Sequence, residues 1–147
     1  MKQVLGVDCG NVILEQMNGT PVNGSVTALR TIRESGIFSD IWIVSKCGPR
    51  VQELTRQWLT RLDFWNETGM RPSNLEFCLK FWEKAPICER LGITHFVDDR
   101  PKVLNCLTTV SKLYAFNPDP KSLGDYTQEN PMTVVRNWDE ILHDLFK

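Results

Sequence analysis

The chain has 147 residues, 41% hydrophobic and 24% charged, which suits one globular domain over 1–147 with a core of its own. Lys plus Arg number 17 against 18 for Asp plus Glu, a net charge of −1, so no basic surplus or basic block marks a nucleic-acid footprint. The chain runs from Met1-Lys2 straight into a strand, too short a lead for a signal peptide or a membrane span, and its five dispersed cysteines lack zinc spacing; reduced thiols in a cytoplasmic protein are expected.

The first strand, Val4-Leu5-Gly6-Val7, ends on Asp8 and turns at Cys9-Gly10-Asn11. Ligands of open α/β sheets bind beyond the carboxyl ends of the strands. An Asp there faces a crevice, although alone it serves equally well as a turn former. Asn18-Gly19 between two extended segments signals a hairpin, so residues 12–22 are expected to form a small β-flap beside Asp8. A helix follows, with Ser25 as its expected N-cap, Val26, Leu29 and Ile32 on one face, and Gly36 at its end.

The second strand, Ile41-Trp42-Ile43-Val44, ends on Ser45 and continues into Lys46-Cys47-Gly48-Pro49. The next helix carries Val51, Leu54, Trp58, Leu59 and Leu62 on one face. Residues 64–72 read as a connection punctuated by Gly69 and Pro72, and 74–79 as a short strand, with a helix through Trp82 as the alternative. Pro86 opens a helix that Gly92 closes. The strand 94–97 delivers Asp98-Asp99, and Pro101 starts a helix through Leu107. A strand over 112–116, a loop over 121–130, an edge strand over 133–135 and an amphipathic helix over 138–146, capped by Asn137, complete the chain.

Strands alternating with helices predict a doubly wound, mostly parallel, Rossmann-like α/β sheet with helices on both faces. Parallel strands share a direction, so Asp8, Ser45 and the pair Asp98-Asp99 fall on one edge. Two carboxylates about 4 Å apart repel by ~4 kcal/mol at an effective dielectric near 20. A shared proton or a hard divalent cation offsets that, and few carboxylates with substrate oxygens completing the shell suit Mg²⁺. Ser45 and the backbone of the Gly10-Asn11 turn supply donors for a phosphate. Lys84 is best placed to complete the cradle, with Lys80 and Lys46 as competitors.

These motifs, in this order, resemble the haloacid dehalogenase superfamily of phosphotransferases over nearly the whole chain. The resemblance implies that Asp8 is a nucleophile forming an aspartyl-phosphate, that Ser45 is the second-motif hydroxyl and that Lys84 is the third-motif lysine. It further implies Mg²⁺ held by Asp8, the Gly10 carbonyl and Asp98, with Asp99 acting beside it. One position departs: the family's second aspartate, which protonates the leaving group, is Gly10 here. General acid–base catalysis contributes ~10²–10⁴-fold, so a slow phosphohydrolase favouring good leaving groups is expected. Neither gap where relatives insert a cap domain is long enough to hold one. The site is therefore expected to be open, suiting a phosphorylated substrate that is large or macromolecular. Two rivals stand beside this reading: a non-catalytic phosphate- or partner-binding module, which Gly10 favours, and a phospho-receiver domain, whose usual order of acidic motifs is the reverse.

Overall fold

A computed structural model describes residues 2–123 and 130–147. The first strand, β1 (Val4–Val7), leads through a turn-rich loop to α1 (Ser25–Ser35), then β2 (Asp40–Lys46), α2 (Pro49–Arg61) and a short α3 (Phe64–Thr68). There follow β3 (Leu75–Cys78), a 3₁₀ turn at Phe81–Glu83, α4 (Lys84–Leu91), β4 (His95–Asp98) and α5 (Pro101–Leu104). The remaining elements are β5 (Lys112–Phe116), α6 (Pro120–Leu123), β6 (Thr133–Val135) and α7 (Trp138–Leu145).

All six strands pair in parallel, in the order β3-β2-β1-β4-β5-β6. This is the doubly wound arrangement, and its order reverses between β1 and β4. Side chains alternate across the sheet with period two. Leu5, Val7, Ile41, Ile43, Val97 and Tyr114 face a core closed by α1, α2, α3 and α7, whereas Val4, Val44, Phe96 and Leu113 face a second core under α4 and α5. Among the described residues no helix is long and apolar enough to cross a membrane.

The expected flap is present only in reduced form. One antiparallel bridge, Leu14 with Pro21, replaces a regular hairpin, and Val12, Ile13 and Leu14 are fully buried. Those side chains belong to the core, which anchors this segment to it. At the flap tip, Gly19 has φ +73°, and a Cβ there would lie 2.2 Å from the Trp58 ring. Both the left-handed backbone and the ring contact require glycine.

Four boundaries differ from expectation. Ser25 is not the cap of α1: Gly24 holds that position, and the buried Ser25 hydroxyl donates to the Ile13 carbonyl at 2.9 Å. The expected connection over 64–72 contains α3, and the expected loop over 121–130 begins within α6; the part of that loop over 124–129 lies outside the described residues. The helix from Pro101 stops at Leu104 and tightens into turns before Leu107. Asn137 caps α7 as expected, accepting the Glu140 amide at 3.0 Å.

Candidate functional site

The reversal between β1 and β4 places Asp8 and Asp98 side by side. Val7 is in register with Val97, and the Asp8 amide donates to the Val97 carbonyl at 2.9 Å. From α4 on the second face, Lys84 reaches between them. Its ammonium donates to Asp8 Oδ1 at 3.1 Å and to Asp98 Oδ2 at 2.8 Å. Lys84 is 2% exposed and Asp98 fully buried. Lys80, its competitor, is an exposed residue at the start of the 3₁₀ turn and makes none of these contacts.

Asp99 turns toward the same point. One carboxylate oxygen from each of Asp8, Asp98 and Asp99 lies within 4.8 Å of the others. Burial and then the Asp98 charge push the Asp8 carboxyl well above the ordinary range, while Lys84 pulls it back. Burial and Asp98 likewise raise Asp99. Burial alone would lower the Lys84 ammonium, but Asp98 and Asp8 together carry it above the ordinary lysine value. The buried cluster thus holds three carboxyl groups and one ammonium, short of positive charge.

Above the cluster is a cavity of about 110 Å³ lined by Asp8, Gly10, Ser45, Lys46, Lys84 and Asp99, among others. Ser45 is buried and Lys46 exposed at the rim. Asn11 does not line this cavity. It adopts φ +63°, its side chain pairs with Gln16, and its amide is spent on the Leu14 carbonyl at 2.7 Å. Its amide and side chain are thus engaged within the loop, whereas it was expected in the phosphate cradle. The Cys9 carbonyl accepts the amides of Val12, Ile13 and Leu14. Among the described residues, the Cys9 and Gly10 amides have no protein acceptor, so they are the donors the turn has free.

The loop is fixed from outside as well. Trp138 of α7 is buried, and its indole N–H donates to the Val12 carbonyl at 2.8 Å. Gly10 itself is unstrained: its φ is not positive, and an added Cβ would meet only Gln16, at 3.9 Å. Cys9 and Cys47 also line the cavity, but burial raises both thiols, which keeps them protonated and weakly nucleophilic.

Several lining residues were not legible beforehand. Trp58, read as part of a core face, forms a wall together with Val51 and Thr55, while Phe81, Arg100 and Val103 form the opposite side. The available signal was their position: each lies just after the carboxyl end of β2, β3 or β4 or on the helix that follows.

The sequence matches no protein-family model and no curated protein. Solved structures are similar in fold. D,D-heptose 1,7-bisphosphate phosphatase from Burkholderia thailandensis superposes with a TM-score of 0.71 at 15% identity, covering 99% of this chain and 100% of that one. The cobalt-bound deoxy-D-mannose-octulosonate 8-phosphate phosphatase from Haemophilus influenzae gives 0.56 at 13% identity, covering 97% and 88%. Both are phosphatases by name, and this chain shares their fold.

Proposed function

We propose that this chain, with its capless haloacid dehalogenase-like fold, is a divalent-metal-dependent phosphohydrolase that uses Asp8 as its nucleophile. The observation that carries the reading is the Lys84 bridge between Asp8 and Asp98 beneath a small polar cavity. The donor set fits Mg²⁺: the carboxylates of Asp8, Asp98 and Asp99, with the Gly10 carbonyl beside them, are hard oxygen ligands. When bound, the ion would supply positive charge against the carboxylates and the phosphate oxygens.

The chain's own residues divide the remaining work. Ser45, the Cys9 and Gly10 amides and Lys84 orient the phosphoryl oxygens, and Lys46 adds charge at the rim. Lys84 also favours the ionised form of Asp8 against burial. Asp8 attacks phosphorus; the Asp8–phosphorus bond forms as the phosphorus–oxygen bond to the leaving group breaks, and the leaving oxygen departs with the electron pair. A water then displaces phosphate from Asp8, losing its proton to solvent. Gly10 offers no acid for the first step, so leaving groups that need no proton are favoured. The five free cysteines suit a reducing cytoplasm, and the capless site suits a large substrate.

The lack of an acid at Gly10 also favours a second reading, a module that binds phosphate without turning it over. Phosphate release from an aryl phosphate, measured with and without Mg²⁺, separates the two. Mg²⁺-dependent release abolished by Asp8→Asn supports the enzyme. Vanadate binding without release supports the module.

A further inference from the structure

The cavity over Asp8 has a volume of about 110 Å³. It adjoins a second cavity of about 860 Å³, and Phe81, Asp99, Arg100 and Val103 line both. The second cavity lies along the loop after β4, α5 and the loop after β5, where Lys102, Asn105, Asn117 and Ser122 contribute. A phosphate ester seated on Asp8 has this space for the rest of its body.

Two of the residues lining the second cavity, Arg100 and Lys102, are cations. Among the described residues, Arg100 and Lys102 are in no ion pair. The Lys102 ammonium stands 4.6 Å from the centroid of the Phe81 ring, which holds it at the shared wall. Two acidic residues also line the space. Asp99 belongs to the carboxylate cluster, and Asp119 accepts the Lys121 amide at 3.0 Å. Two exposed cations, in no ion pair among the described residues, thus flank a cavity that shares a wall with the chamber over Asp8.

We infer that the leaving group of the substrate occupies this second cavity and carries an anionic group of its own, a carboxylate or a second phosphate, bound by Arg100 and Lys102. The inference rests on the phosphohydrolase reading for the seat of the first phosphate. Asn105, Asn117 and Ser122 supply hydrogen bonds suited to a hydroxyl-bearing skeleton between the two anions.

Calorimetric titration of the full chain carrying Asp8→Asn, in Mg²⁺, tests this without turnover. One pair of probes is 3-phosphoglycerate against glycerol 3-phosphate, the other fructose 1,6-bisphosphate against fructose 1-phosphate. The added anion should tighten binding about tenfold in at least one pair, as one charge-assisted contact supplies. The pair that responds identifies carboxylate or phosphate. Adding Arg100→Ala and Lys102→Ala should bring that ratio close to one, and Lys102→Glu should invert it. Both side chains are exposed, and a melting curve shows that the variants fold. Equal affinities within both pairs overturn the inference, as does a preference that survives the double substitution or the absence of binding by any probe. Hydrolysis by the parent without preference sinks this subsite and leaves the phosphohydrolase standing. A preference removed by the substitutions, without hydrolysis by the parent, does the reverse.

Discussion

Replacing Lys84 by methionine keeps the length of the side chain and removes its charge. In metal-free buffer Asp8 and the fully buried Asp98 would then share the interior with no cation at 3.1 and 2.8 Å. Breaking a buried charge pair by removing one partner costs ~3–5 kcal/mol. A domain of 147 residues has an unfolding entropy of ~0.3 kcal/mol/K, so the melting temperature should fall by about 10–16 °C at pH 7. The sign of the pH dependence follows from Asp8. Its folded pKa lies above the unfolded value of about 3.9, and losing Lys84 raises it further. A carboxyl raised in the folded state stabilises below its unfolded pKa, and that contribution disappears as pH rises through the folded one. The deficit of Lys84→Met should therefore be small near pH 4 and grow as pH rises through the folded pKa of Asp8. Mg²⁺ at a hundredfold excess over its dissociation constant adds ~2.7 kcal/mol, and its shift should be larger in Lys84→Met than in the parent, because the ion replaces the missing charge. Thermal melts from pH 4 to 8, with and without Mg²⁺, and with Lys80→Met as the exposed control, measure all of this. A deficit below about 1 kcal/mol at pH 7, or one that does not change with pH, would refute the electrostatic account of the cluster.

Gly10→Asp should fold with stability close to the parent's, since the backbone is unstrained and the nearest neighbour of a new Cβ is at 3.9 Å. Its hydrolysis of alkyl phosphates should rise by up to ~10²–10⁴, and a parent that already hydrolyses them quickly would count against the missing-acid argument. Gly19→Ala should cost ~1–3 kcal/mol in urea unfolding, because it strains a positive φ and drives a methyl into Trp58; a neutral result would show that the flap and α2 separate readily. Asp144, held down to about 2 by the Tyr114 hydroxyl and then by Lys147 and Lys112, is depressed in the folded state, so its contribution is present above about pH 4 and lost as pH falls toward 2. After allowing for solvent screening, Asp144→Asn should cost roughly 1–2 kcal/mol at pH 7 in chemical unfolding, and the gap to the parent should narrow in acid.

Strands β1, β2, β4 and β5 were legible because each is a short apolar run closed by a polar group, and their shared direction brought Asp8, Ser45 and Asp98 to one edge. Proximity of Asn11 to Asp8 in sequence did not reveal where its amide is spent, which is on the Leu14 carbonyl. The flap signal of Asn18-Gly19 was correct about the reversal and silent about Val12, Ile13 and Leu14, whose burial turns most of the hairpin into core. Trp58 followed a helical apolar period, and periodicity alone cannot separate a residue that packs inward from one that walls a cavity. Arg100 and Lys102 carried no signal at all, since an unpaired cation is defined by what is absent around it in space.

The hydrogen bond from Trp138 to the Val12 carbonyl joins residues 126 apart. On the ribosome, at ~5–20 residues per second, the loop behind Asp8 would wait roughly 6–25 s for its indole partner. During that interval Val12, Ile13 and Leu14 have their strand neighbours to come and no α7 to seal them. The loop behind Asp8 is thus among the first segments made and among the last to receive its partner.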